Sequence, residues 1–272
     1  MTDSTADMSA GQPDQERMVA MSSVAERTPP AQGRTGAAGR RPSPAALLQG
    51  LAIGLGFVLM VGGFGAIAVS YRPYRIPTNS MSPTVEPGDT VLAKSVSADG
   101  IGRGDIVIFH DAVWGPETMV KRVAGVGGDT VAYSPAGGGL TVNGKPVDES
   151  YLTGDRGDVA FSVQVPQGRL FLLGDDRTVS LDSRSHLQVA AGTIPATEVT
   201  GRVAGRAWPF DRMAVQQRTA AFDSLGGPTA SGPGLLQPAT YAMVGGAALI
   251  VLVSALGGVV GLVRRLSGRK AG

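Results

Sequence analysis

The chain has 272 residues, with 24 Lys and Arg against 22 Asp and Glu, so its formal net charge is only +2. That balance argues against a dedicated nucleic-acid binder. The absence of cysteine excludes disulfides and thiolate metal sites, and 40 glycines with 5% aromatics suit short strands and turns better than long packed helices.

Residues 1–46 are rich in Ser, Thr, Pro, Gly, Gln and Ala, with five acids and five arginines and no sustained period. This composition predicts a disordered tail. Residues 47–70 carry no charge and exceed the roughly 20 residues that cross a bilayer core. Their glycines are compatible with a spanning helix. A buried core helix is the bland alternative, but soluble helices rarely lack every charge over such a length. Ala66-Ile67-Ala68 forms an A-x-A-like site, which would make residues 1–68 a cleaved signal peptide. The long preceding region and the length of the apolar stretch weigh against cleavage.

Residues 71–212 read as an all-β domain. β-rich runs recur between turn signals at Thr90–Ala93, Asp105–His110, Val120–Val126, Thr130–Tyr133 and Arg169–Leu173. Val159–Val165 nearly alternates, and Asn143-Gly144 between two short runs predicts a hairpin. Residues 213–240 are Gln-, Ala-, Ser-, Gly- and Pro-rich and read as a linker. A second charge-free stretch covers 241–263, and the basic tail 264–272 follows with Arg264, Arg265, Arg269 and Lys270. No Lys or Arg lies in the twenty residues before that stretch, so the positive-inside rule places the C-terminus in the cytoplasm. Two spans put both termini on one side. The expected protein is a two-pass protein of the cell membrane with residues 71–240 outside.

Three strings between the spans carry potential chemistry. They are Ile76-Pro77-Thr78-Asn79-Ser80-Met81-Ser82-Pro83-Thr84, then Val120-Lys121-Arg122-Val123, then Gly174 to Arg184. A serine is a poor nucleophile until a base takes its proton. The chain has two histidines, His110 and His186, and four lysines against twenty arginines. Each histidine reads more simply as a surface or packing residue. Lysine serves as a base only when neutral, and apolar burial favours that form. In a strand, Met119 and Val123 share the face of Lys121, so a depressed pKa is expected there. A half-exposed strand lysine is the plain alternative.

Together these strings resemble type I signal peptidases of bacteria. The resemblance covers about residues 70–210, with the motifs in family order and with Gly88-Asp89 and Gly104-Asp105-Ile106-Val107 between them. The second span and the arginine bias resemble members from high-GC Gram-positive bacteria. The implied fold is mainly β, a signal-peptidase-like sheet or barrel flanked by two transmembrane helices. The implied activity is removal of signal peptides from exported preproteins after small-x-small sites, without cofactor or metal. The implied partners are preproteins, the bilayer and a nearby secretion translocon, with no nucleic acid.

The resemblance also implies roles. Ser80 would be the nucleophile and Lys121 its base. The Ser80 N–H and the Thr78 hydroxyl would form the oxyanion hole, with Thr78 at a position where the family commonly has serine. Ser180 would hydrogen-bond and orient Lys121, and Asp182 with Arg184 would form a supporting ion pair. Ile76, Pro77, Val85, Met119 and Val120 would line shallow apolar pockets. Asn79 and Asp176 stand where glycine and asparagine are frequent. Self-cleaving repressors of the SOS type share the Ser–Lys idea, but lack spans and carry a DNA-binding domain. A membrane-anchored homologue without activity, acting in assembly or regulation, is the alternative from another class.

Overall fold

The computed structural model describes residues 43–269. Most of the tail expected over 1–46 and the last three residues of the basic tail lie outside that range.

Helix α1 spans Pro44–Ser70. Ser43 caps it by accepting from the Ala46 N–H at 3.2 Å, and Pro44 opens its first turn. It ends where Pro73 drives Arg72 out of the helical region. Strand β1 (Arg72–Arg75) follows at once. Then come β2 (Thr90–Lys94), β3 (Ile106–Phe109), β4 (Met119–Val126) and β5 (Thr130–Ser134). Strands β6 (Gly139–Val142), β7 (Lys145–Pro146), β8 (Phe161–Gln164) and β9 (Arg169–Leu173) continue the chain. Strands β10 (Thr193–Pro195), β11 (Val199–Trp208) and β12 (Ala214–Val215) precede helix α2 (Leu236–Arg269).

An eight-stranded sheet runs β1-β2-β11-β3-β4-β9-β10, with β12 added on β11, and a four-stranded sheet runs β7-β6-β5-β8. All named pairings are antiparallel. The Asn143-Gly144 hairpin forms between β6 and β7. Its two residues have φ of 54° and 74°, the double positive φ of a type I′ turn. The two sheets meet in one cluster, where Val131, Leu140 and Val142 pack with Phe171, Leu173 and Phe222.

Phe222 belongs to the segment whose composition reads as a linker. That segment is instead packed onto the domain. Phe222 is fully buried, Ala214–Val215 pair with β11, and Arg103 donates to the Gly226 and Pro228 carbonyls. Its backbone is satisfied by side chains and short pairings rather than by a regular element, so no period marks it in the sequence.

Helices α1 and α2 are each long and apolar enough to cross a membrane, and little of either apolar stretch is covered by the rest of the protein. A core helix would be enclosed on all sides. The two helices touch through glycine. A Cβ on Gly63 would come within 2.5 Å of the Ala239 carbonyl oxygen, and one on Gly246 within 2.4 Å of the Gly56 carbonyl oxygen. Such close backbone approach drives helix association where lipid removes the hydrophobic term.

Candidate active site

Lys121 lies within β4, paired with Val107 of β3. Only 5% of it is exposed. Burial lowers its pKa from the usual 10.5 to about 8, against the opposing pull of the Asp182 and Asp175 carboxylates.

Ser80 lies in the irregular segment between β1 and β2. The base of that segment is closed by Ile76 N–H to Asp89 O and Gly88 N–H to Ile76 O, both 2.8 Å. Ser80 is buried, and the Lys121 Nζ donates to its Oγ at 2.8 Å. The Thr78 Oγ1 lies 3.3 Å from the same Oγ on the exposed side. A serine hydroxyl, a lysine with a depressed pKa and a second hydroxyl therefore converge within hydrogen-bonding distance, although forty-one residues separate Ser80 from Lys121.

The segment leaving β9 closes the site from below. The Asp176 N–H donates to the Ser80 carbonyl at 3.1 Å. Gly174 permits this approach, since a Cβ there would come within 2.5 Å of the Ser80 carbonyl oxygen and 2.1 Å of Ser180 Oγ. Asp182 accepts from the Gly174 N–H at 2.9 Å and pairs with Arg184 at 2.9 Å, so the expected ion pair is formed.

Two sequence expectations need correction. Ser180 Oγ is buried but hydrogen-bonds no described residue, so the expected bond to Lys121 is absent. The hydroxyl packs against Gly174, where a Cβ would come within 2.1 Å of it. Val85 does not line the cleft. It is fully buried in the cluster behind it, with Ile76, Met81 and Val91. Its N–H is tied back to the Met81 carbonyl, which turns its side chain inward. The other four pocket residues, Ile76, Pro77, Met119 and Val120, do line a cleft of about 410 Å³ that reaches Ser80 and Lys121.

Neither histidine hydrogen-bonds Ser80. His110 is exposed at the end of β3, and His186 stacks on Trp114 with ring centroids 4.4 Å apart.

Sequence reasoning missed a buried charge network under the site. Arg122 makes a two-point contact with Asp175 at 2.8 and 2.5 Å and lies over the Tyr151 ring at 4.2 Å. Burial works against the Arg122 charge, but Asp175 outweighs it and its pKa is raised. Thr84 Oγ1 donates to Asp175 at 2.6 Å, and Arg177 joins Glu149 to the Gly174 carbonyl. The adjacent pairs Lys121-Arg122 and Gly174-Asp175 were the available signal. Glu149 had none, since it reaches Arg177 from twenty-eight residues away.

Comparison with known proteins decides the family. The family described as "Signal peptidase, peptidase S26" matches residues 49–208, more than half of the chain. The chain belongs to the signal peptidase family S26. A signal peptidase I of Bacillus caldolyticus is 38% identical over 162 residues, covering 54% of this chain and 84% of the relative. A signal peptidase IB of Staphylococcus aureus (strain COL) is 35% identical, covering 59% and 88%. A signal peptidase I of Leptolyngbya laminosa is 32% identical, covering 69% and 91%. A crystal structure of a signal peptidase I from Enterococcus faecalis V583 matches at 28% identity and TM-score 0.31, covering 37% of this chain and 93% of that one. The matched residues 49–208 hold the three motif strings, the cleft and most of α1. This member of the signal peptidase family is a membrane-anchored, mainly β peptidase.

Proposed function

We propose that the chain is a type I signal peptidase that removes N-terminal signal peptides from exported preproteins, with Ser80 as nucleophile and Lys121 as general base. The observation that carries this reading is the 2.8 Å contact between Lys121 Nζ and Ser80 Oγ at a lysine whose pKa is lowered to about 8. Neutral Lys121 takes the proton from Ser80 Oγ as that oxygen bonds to the scissile carbonyl carbon. The oxyanion accepts from the Ser80 N–H and the Thr78 hydroxyl. The C–N bond then breaks, and Lys121 returns its proton to the leaving amine. Water, deprotonated by Lys121, hydrolyses the Ser80 ester. No metal or cofactor enters this scheme.

The apolar cleft formed by Ile76, Pro77, Met119 and Val120 supports selection of small side chains at the first and third positions before the cut. A preprotein with Ala-x-Ala is expected to be cut, and one with Phe at either position is not. The two charge-free stretches 47–70 and 241–263 and the Arg264-Arg265 pair that follows the second support a two-pass topology with both termini cytoplasmic and residues 71–240 outside. The carboxy-terminal span and the arginine bias support an affinity with enzymes of high-GC Gram-positive bacteria. Preproteins emerging near a secretion translocon are the implied substrates.

The test is cleavage of a preprotein by the wild-type chain and by Ser80→Ala, with the cut site read by mass spectrometry. Cleavage by Ser80→Ala at the same bond would overturn the assignment. Protease added outside spheroplasts is expected to digest residues 71–240, and a C-terminal tag reached from outside would overturn the topology.

A further inference from the structure

The segment Ile76–Asp89 that carries Ser80 has no regular secondary structure. Its Ser80 end is held by the Asp176 N–H, and the side chain of Thr84 is held by Asp175. Its far end is held from another direction. Arg206 of β11 donates from Nη1 to the Thr84 carbonyl at 2.7 Å and from Nε to the Arg212 carbonyl at 2.6 Å. Arg212 donates from Nη2 to Asp89 Oδ2 at 2.8 Å, and the Glu86 N–H donates to the same oxygen at 2.9 Å. Arg206 Nη1 lies 3.6 Å from it. The Asp89 carboxylate is fully buried, a costly placement that two guanidiniums offset.

The register of β11 shows how Arg206 comes to point there. Its pairing with β2 shifts between Val203 and Gly205 and again between Arg206 and Trp208. Such irregularities re-aim the side chains they bracket. Arg206 is thereby opposite Val91, two residues beyond Asp89.

We propose that Arg206 and Arg212 are positioning residues for Ser80, acting through Thr84 and Asp89. This inference rests on the assignment of Ser80 and Lys121 above. Ile76, Met81 and Val85 bury the inner face of the loop, and its polar contacts fix the orientation that this packing leaves free. Arg206 grips Thr84 by its carbonyl while Asp175 grips the same residue by its hydroxyl, and Arg212 locks the exit at Asp89. The arginines therefore hold Ser80 Oγ at the distance from Lys121 Nζ that proton transfer needs, without touching substrate.

The test uses the full chain in detergent micelles. Active sites are counted with a covalent serine-directed probe, and kcat per active site, KM and thermal midpoint are measured for Arg206→Gln, Arg206→Lys and Arg212→Gln. Arg206→Gln is expected to lower kcat per active site about 10–100-fold, the effect of small misplacements of reacting groups, with KM within about two-fold. Arg206→Lys recovers part of the loss, because one donor can still reach the Thr84 carbonyl. Arg212→Gln shows a smaller loss in the same direction. The ascending limb of kcat/KM against pH stays at its wild-type position, since Lys121 is untouched. A merely structural role would lower the active fraction and thermal midpoint with kcat per active site unchanged, and that result overturns the proposal. A rise in KM at constant kcat overturns it as well. If Arg206→Gln does not fold, Arg212→Gln decides, and an unchanged kcat per active site refutes the role. Failure of the underlying assignment reads differently, as activity retained by Lys121→Ala.

Discussion

Lys121 and Ser80 meet at 2.8 Å, but the protein holds them by different means. Lys121 sits in a central strand, with β3 on one side and β9 on the other, and its charge state follows from burial. Ser80 sits in a loop that adds no strand to either sheet, held by the buried Ile76, Met81 and Val85 and by polar contacts to Asp176, Asp175, Arg206 and Arg212. In the proposed mechanism the strand side sets the charge state of the base through burial, and the loop side sets the position of the nucleophile. Substitutions on the two sides should therefore fail in different ways, one in pH dependence and the other in rate at every pH.

The largest effect is expected at Lys121 itself. A lysine at its ordinary pKa would be almost wholly protonated near neutrality and unable to accept the Ser80 proton. Lys121→Ala should abolish cleavage while the domain stays folded, as read by circular dichroism. Lys121→Arg should not restore it, because a guanidinium stays protonated at any usable pH. In the wild type, kcat/KM should rise with pH through about 8, as the neutral form of Lys121 accumulates. Full activity in Lys121→Arg would remove the lysine from the mechanism.

On the loop side, Thr78 tests geometry without altering Lys121. Its Oγ1 lies 3.3 Å from Ser80 Oγ on the solvent-exposed side of the loop. Thr78→Val keeps the shape and deletes the donor. The expected cost is about 10²–10³ in kcat, equal at all pH values, while Thr78→Ser is tolerated. A shifted pH limb with intact kcat at its plateau would contradict the division of labour between loop and strand.

What could be read from the sequence follows the same division. The strand side was legible: the runs around Asp105–His110, Val120–Val126 and Arg169–Leu173 all contain strands of the eight-stranded sheet. Apolar residues at strand spacing announce themselves locally. Strand β11 did not, although it is ten residues long. Two glycines and three register shifts break its alternation, and three strands pair with it only through the tertiary fold. The charged anchors of the loop were likewise invisible, because Arg206 and Thr84 are 122 residues apart. The Val85 side chain was misplaced for a related reason. The resemblance implies a place in the cleft, but a turn of the loop directs it into the core with Met81. Phe222 shows the limit of composition, since one buried aromatic anchors a segment otherwise indistinguishable from a linker.

Stability gives a third contrast. A buried lysine held below its ordinary pKa is a cost to the fold wherever it is charged. Lys121 is protonated in both folded and unfolded states below about 8, so the cost is fully present there. Between about 8 and 10.5 the unfolded chain binds more protons than the folded one, and stability rises with pH. Lys121→Met removes the charge and keeps the length. It should stabilise the domain at neutral pH by an amount on the order of 3 kcal/mol, and the gain should shrink as pH rises through that window. Denaturant melts of both proteins at pH 7 and at pH 10 measure it. An equal difference at the two pH values would mean that Lys121 titrates normally in the folded state.

The smallest effect is expected at Asp176, and it is informative for that reason. Asp176 stands beside the buried Asp175 and contacts the Ser80 loop, so a carboxylate there invites an electrostatic role. The geometry assigns it a different one. The atom that reaches Ser80 is the Asp176 backbone N–H, at 3.1 Å from the Ser80 carbonyl oxygen. The side chain turns the other way, and its Oδ1 accepts from the Thr178 N–H and hydroxyl at 3.2 and 2.7 Å. An asparagine keeps an oxygen acceptor in that position and leaves the backbone contact unchanged. Burial lowers the Lys121 pKa against the pull of Asp182 and Asp175, and Asp176 acts in neither direction. Asp176→Asn should therefore leave kcat/KM within about two-fold of wild type, where a backbone hydrogen bond is untouched, and should leave the ascending pH limb in place. A displaced limb would bring the Asp176 charge into the environment of Lys121. A loss of ten-fold or more in kcat with an unmoved limb would instead show that the charge, rather than the backbone, holds the Ser80 loop.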